Sequence, residues 1–168
     1  MKNKIYQATE SDTETLAYIL TQSWKAAYSE IISATELAKA TNPDHYEKIF
    51  DLLLKMPNNY FYIAASENVP CGMIFSCPSK DNDLAGYGEI VALYTMPDCW
   101  GKGIGKALLQ TALTKIREEN KKGVYLWVFK ENFRARKFYE KNGFVSDGKE
   151  KQENFSNKPI SVRYVLNF

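Results

Sequence analysis

The stretch Thr95-Met96-Pro97-Asp98-Cys99-Trp100-Gly101-Lys102-Gly103-Ile104-Gly105-Lys106 lies between two periodic segments. Before it, Glu89 to Thr95 is a largely apolar run that reads as a strand ended by Pro97, and its character implies burial on both faces in mid-sheet. After it, Leu108, Leu109, Ala112, Leu113 and Ile116 recur at helical spacing from Ile104 onward. A strand-to-helix junction gathers unpaired backbone N–H groups and the positive end of the helix dipole at one spot, which suits a phosphate. Gly101, Gly103 and Gly105 remove the side chains that would keep a diphosphate from those amides, and they permit the backbone of an anion-binding nest. Lys102 and Lys106 add positive charge. A Walker A loop is ruled out: it has four residues between its glycines and Ser or Thr after its lysine, whereas Gly101 and Gly105 are separated by three residues and Ala107 follows Lys106. A dinucleotide fingerprint needs GxGxxG directly after the strand, and the pattern here is GxGxG, displaced by four residues. Taken alone, the loop is also compatible with a glycine-rich turn that binds nothing.

Outward from the loop, the chain reads as alternating helices and strands. Ile5 to Ala8 is a first strand, and the capping-box pattern Ser11-Asp12-Thr13-Glu14 opens a helix carrying Leu16, Ile19, Leu20 and Trp24. A second box, Ser33-Ala34-Thr35-Glu36, opens a short helix, and Asn42-Pro43-Asp44 opens another that Pro57-Asn58-Asn59 stops. Tyr60 to Ala65 and Gly72 to Cys77 read as a hairpin around Glu67 to Pro70, and Ser79 to Asp83 as a polar loop. The helix from Ile104 finishes at Lys121 and Lys122 with Gly123 as its C-terminal cap. Val124 to Phe129 is a strand, Asn132 to Asn142 a helix ended by Gly143, and Val162 to Leu166 a last strand. The expected fold class is mixed α and β, with one strand-helix-strand-helix unit in the C-terminal half.

Composition narrows the function classes. The 168 residues contain no repeat or Gly/Ser/Pro-rich linker, so residues 1–168 are expected to form one domain. With 22 basic and 20 acidic residues the net charge is +2, so no global field points to nucleic acid or an anionic membrane, and any anion site is local. Cys71, Cys77 and Cys99 lack CxxC spacing and only His45 is available to join them, so no metal site is expected and none of the four is given a role. The N-terminal Met1-Lys2-Asn3-Lys4-Ile5-Tyr6 lacks a signal-peptide core, and no stretch approaches the roughly 20 apolar residues of a membrane span. The expectation is a cytoplasmic protein with free thiols.

Glu89 to Pro97, the loop through Gly105, and Asn132-Phe133-Arg134-Ala135-Arg136-Lys137-Phe138-Tyr139-Glu140-Lys141-Asn142-Gly143-Phe144 together resemble the GNAT acetyltransferase family. The first two look like its motif A, which ends in Q/R-x-x-G-x-G/A. The third looks like its motif B, Asn-x-x-Ala-x-x-Phe-Tyr-Glu-Lys-x-Gly-Phe. One departure is clear: Trp100 stands where the family usually has Gln or Arg, and an indole offers a single N–H.

The resemblance implies a central, mostly antiparallel mixed sheet of about six or seven strands flanked by about four or five helices. It implies acetyl-CoA as co-substrate and direct transfer of its acetyl group to a primary amine. The amine would belong to a small molecule (a polyamine, an amino acid derivative or an aminoglycoside) or to a peptide or protein. The alternative is a GNAT-fold domain that binds CoA without catalysis, as a sensor or partner, and the resemblance also allows a homodimer. By the same resemblance Leu93, Tyr94 and Thr95 end a strand that splays from Val124 to Phe129, and the pantetheine arm lies in the gap. Trp100 through Lys106 and Asn132 would contact the cofactor, although Asn132 also suits a helix N-cap. Tyr139 is the expected general acid near the thioester sulfur, with simple packing beside Phe138 as the alternative. Glu89 is a candidate base for the amine, or else a strand-end glutamate facing solvent. Lys130, Arg134, Arg136 and Lys137 are candidates for the 3′-phosphate, against a solvated helix face. Trp24, Tyr28, Glu30 and Tyr46 are the candidate acceptor residues.

Overall fold

The computed structural model describes residues 3–168; Met1 and Lys2, part of the N-terminal stretch read above, lie outside them. The strands are β1 (Asn3–Gln7), β2 (Tyr60–Ser66), β3 (Val69–Pro78), β4 (Gly88–Thr95), β5 (Gly123–Phe129), β6 (Val145–Gln152) and β7 (Ile160–Asn167). The helices are α1 (Thr13–Tyr28), α2 (Ala34–Ala40), α3 (Pro43–Leu54), α4 (Ile104–Glu118) and α5 (Phe133–Lys141). One sheet holds all seven strands in the order β1-β2-β3-β4-β5-β7-β6, antiparallel throughout except where β4 and β5 run parallel across the α4 crossover. Among the described residues no helix is long and apolar enough to cross a membrane.

Strand alternation divides the core into two layers. Phe61, Ile63, Met73 and Phe75 point to one face, where α1 and α3 bring Leu16, Ile19, Leu20 and Phe50. Ala64, Ile74, Val124 and Leu126 point to the other, covered by Leu108, Leu109, Ala112, Leu113 and Ile116 of α4 and by Tyr139 of α5. The helical spacing of the α4 residues places a continuous apolar stripe against the sheet, each buried Leu or Ile side chain contributing about 1.5–3 kcal/mol.

Local signals resolve as follows. Ser33 caps α2 and Asn42 caps α3 with their side-chain oxygens, as their sequence patterns predict. The first capping box sits two residues earlier than read. The Thr9 backbone N–H donates to Asp12 Oδ2 at 2.8 Å, shaping a 3-10 turn (Glu10–Asp12) that leads into α1. Gly123 does not cap α4. Asn120, at φ +54°, takes the left-handed position after the helix, and Gly123 opens β5. A glycine is needed there for another reason: an added Cβ would lie 2.5 Å from the Leu166 carbonyl and 2.6 Å from the Tyr87 ring. β6 escaped the sequence reading because every residue of Val-Ser-Asp-Gly-Lys-Glu-Lys-Gln is exposed, so no apolar alternation marks it. β4 is not buried on both faces: Val91 is 39% exposed, and Leu93, Tyr94 and Thr95 are half-buried, because one flank of the strand opens onto a cavity.

Candidate active site

The cavity begins where two strands part. β4 pairs with β5 only from Gly88↔Val124 to Ile90↔Leu126. On its other edge β4 pairs with β3 as Ile90↔Ser76 and then Ala92↔Phe75, which leaves Val91 as an extra residue. Such a bulge bends the strand that carries it. Beyond Ile90, β4 and β5 therefore diverge and wall a cavity of about 690 Å³, the size of a cofactor or small-molecule site.

The glycine loop lies at the mouth of this gap. Gly101 (φ +73°) and Gly103 (φ +79°) hold left-handed conformations, and a Cβ on either would meet nothing within 4 Å. The loop is thus open towards a ligand, and glycine is required by its backbone angles rather than by crowding. The first bond of α4 runs from Ala107 N–H to the Gly103 carbonyl at 3.0 Å. The amides of Ile104, Gly105 and Lys106 precede it and are the unpaired donors of the helix start. Trp100 donates its one indole N–H to the Thr95 carbonyl at 2.9 Å, so it ties the loop to β4 and has no second donor for a phosphate. Lys106 lines the cavity, whereas Lys102 is exposed outside its walls.

Three phenols meet inside. Tyr139 of α5 is 8% exposed and packs edge-on against Phe138 (5.3 Å) and Phe144 (5.7 Å). Burial, reinforced by the neighbouring phenol of Tyr94, pushes the Tyr139 hydroxyl well above the usual range, and Tyr28 is raised by burial and by the same neighbours. All three remain protonated at neutral pH. Asn132 caps α5 by accepting the Ala135 N–H at 3.1 Å and also lines the cavity, so its two candidate roles are compatible.

Glu89 is half-buried in the cavity wall. Tyr125, fully buried, donates its hydroxyl to Glu89 Oε2 at 3.2 Å and accepts the backbone N–H groups of Lys80 and Asp81, each at 3.1 Å. With these amides and, at 3.4 Å, Ser79 Oγ donating to it, the phenol oxygen is an acceptor on that side and its single proton is directed at the carboxylate. Burial raises the Glu89 pKa, and Asp81 pushes it the same way, while Lys80, the Tyr125 hydroxyl and Lys151 pull it down. The loop that carries Lys80 and Asp81 is fixed by Arg163, 2% exposed on β7, which binds Asp81 (2.8 Å), Asp83 (2.7 Å) and Asp147 (2.6 Å). Its guanidinium and Lys149 hold the Asp83 carboxyl well below the usual range. The sequence reading missed Tyr125 and Arg163. The available signal was a lone arginine in the apolar strand Val162 to Leu166, which demands carboxylate partners when buried.

The remaining candidates divide. Trp24 and Tyr28 both line the cavity, their rings 5.2 Å apart. Tyr46 packs behind Trp24 at 6.3 Å and Glu30 is exposed beyond the end of α1, so neither is part of the wall. Of the four candidates for the 3′-phosphate only Arg134 reaches the cavity, which Lys141 of the same helix also lines. Lys130 pairs with Glu150 at 2.7 Å, Arg136 bonds the Tyr164 hydroxyl at 3.1 Å, and Lys137 is exposed. Trp127 and Phe129 of the strand expected beside the gap also line it, and so do Glu153 and Phe155, which were not anticipated because they lie on the segment joining β6 to β7, which had no sequence signature.

Known proteins resemble this chain in sequence and in fold. A spermidine N(1)-acetyltransferase of Thermoplasma acidophilum is 28% identical over 149 residues, 86% of this chain and 89% of that protein. An uncharacterized N-acetyltransferase of Archaeoglobus fulgidus is 46% identical over 52 residues, 31% of this chain, and the match spans only 35% of that relative's length. The fold is shared over the whole of both chains with the PaiA N-acetyltransferase of Thermoplasma acidophilum, solved in complex with coenzyme A, at a TM-score of 0.81 and 23% identity. Residues 21–144, which contain the glycine loop, the parted strands and the Asn132 to Phe144 helix, match the acetyltransferase (GNAT) family, and the chain belongs to that family.

Proposed function

We propose that the protein transfers an acetyl group from acetyl-CoA to a primary amine by direct attack of the amine on the thioester. The observation that carries this reading is the parting of β4 from β5 beside an open glycine loop, which forms a slot with backbone donors along one wall and at its mouth. The residues present fit the group: the left-handed glycines leave room for a diphosphate, and the helix-start amides supply its donors. When bound, acetyl-CoA supplies an acetyl group already activated as a thioester.

The protein's own groups would then do three things. The Met96 N–H bonds the Cys71 carbonyl of β3 at 2.8 Å, so strand alternation turns the Leu93 N–H away from β3 and into the gap, where it can polarise a carbonyl oxygen. Glu89 accepts a proton from the incoming ammonium, directly or through water, since attack needs the neutral amine. Tyr139, a protonated phenol inside the cavity, donates a proton towards the leaving sulfur. At the acceptor end Trp24, Tyr28, Trp127 and Phe155 form aromatic walls with Glu89 and Glu153 among them, a lining that favours a cationic amine. A polyamine fits that description, and the spermidine acetyltransferase relative supports it.

The test is to follow free thiol released from acetyl-CoA with polyamines, amino acid derivatives, aminoglycosides and short peptides against a control without acceptor. Thiol release that depends on one amine class is the expected result. Release from none of them, with acetyl-CoA bound, would leave a CoA-binding domain without this activity.

A further inference from the structure

We infer that Arg134 and Trp100 work as a unit that supplies the diphosphate-binding cation of the cofactor site, a reading that rests on acetyl-CoA being the co-substrate. The glycine loop offers backbone donors, but the side chain at position 100 is committed: its only N–H is bound to the Thr95 carbonyl at 2.9 Å. Across the mouth of the cavity, Arg134 reaches from the first turn of α5 and lays its guanidinium over the Trp100 ring, 3.3 Å from the centroid. Both side chains line the same cavity as Gly101, Gly103 and Gly105.

The geometry leaves Arg134 ready to bind an anion. Stacking occupies the face of a guanidinium and leaves its N–H donors free in the plane, which is the arrangement that forks onto two phosphate oxygens. Trp100 cannot swing away without breaking its bond to Thr95, so the cation is held in place before any ligand arrives. Among the described residues Arg134 has no carboxylate partner within ion-pair distance, whereas Arg163 has three. Burial lowers the Arg134 pKa, as expected of a partly desolvated cation without a counter-anion. The unit thus restores from α5 the donor that the loop lacks at position 100.

Calorimetry on the full chain tests this with coenzyme A and with 3′-dephospho-coenzyme A, using the wild type, Arg134→Gln, Trp100→Leu and the double variant. Arg134→Gln is expected to weaken both ligands equally, by about tenfold or more, the loss typical of a charge-assisted hydrogen bond. Trp100→Leu should weaken them similarly, and the double variant should be no weaker than the worse single one. Both side chains sit at the cavity mouth, and unchanged thermal melting of Arg134→Gln would exclude an effect through folding. Wild-type affinity in Arg134→Gln overturns the inference. So does a loss confined to coenzyme A, which would assign Arg134 to the 3′-phosphate, or a fully additive double variant. If the wild type itself bound neither ligand, the acetyl-CoA reading would fail first, and the inference with it.

Discussion

Replacing Tyr125 with phenylalanine removes one hydroxyl that does two jobs, and the two consequences can be measured separately. The first concerns Glu89. Its carboxylate loses the 3.2 Å hydrogen bond from Tyr125, which stabilises the charged form. A hydrogen bond to a charged group contributes about 1.5 kcal/mol at the low end, appropriate to this length, and that corresponds to roughly one pKa unit. Burial already raises the Glu89 pKa from its ordinary value. A base must be deprotonated to work, so kcat/KM rises with pH through its pKa in the free enzyme. In Tyr125→Phe that acid limb should move up by about one unit while the plateau at high pH changes little. The second consequence is structural: the Lys80 N–H loses its acceptor and the Asp81 N–H keeps only Ser79 Oγ at 3.2 Å, at a cost of about 1–3 kcal/mol in urea unfolding. An acid limb that stays in place in Tyr125→Phe, in an enzyme whose acid limb disappears in Glu89→Gln, would refute the positioning argument.

Further expectations follow from the same geometry. Glu89→Gln should lower kcat/KM by roughly 10²-fold or more near neutral pH and flatten the acid limb; full activity across pH would return Glu89 to a structural role. Tyr139→Phe should lower kcat by roughly 10²-fold with the acetyl-CoA Kd within about threefold, and unchanged kcat would remove the phenol from the proton transfer. Arg163→Met should destabilise the fold by about 3 kcal/mol in urea at pH 7, since three aspartates lose their shared cation and only Asp83 keeps another, Lys149. Asp83 has a depressed pKa, so in the wild type its contribution is present above the ordinary carboxylate value and is lost as pH falls below it; Arg163→Met should show less of that acid loss. Gly123→Ala should destabilise by about 2–3 kcal/mol, because its Cβ would meet the Leu166 carbonyl at 2.5 Å.

The parts of the fold legible in the sequence are those whose side chains serve the local backbone or one flat interface. The spacing of Leu108, Leu109, Ala112, Leu113 and Ile116 specifies both α4 and its buried face, and Ser33 and Asn42 announce helix starts because a cap acts within three residues. The glycine loop is legible for the same reason, since positive φ at Gly101 and Gly103 is a local demand. What stayed hidden depends on partners far along the chain. The Val91 bulge is defined only against β3, and the exposed β6 only against β7. Tyr125 gains its role from a loop some 45 residues earlier, and Arg163 from aspartates on two other segments. Trp100 departs from the family pattern, and its partner, the Arg134 guanidinium on its ring, comes from a different element, α5.

The central claim is that the slot between β4 and β5 receives acetyl-CoA, and calorimetric titration of the full chain with acetyl-CoA tests it most directly. The account predicts saturable binding at one site per chain, with a weaker Kd in Gly103→Ala, where a methyl group would project into the open cradle. A titration of the folded wild type that shows no saturable binding would contradict it.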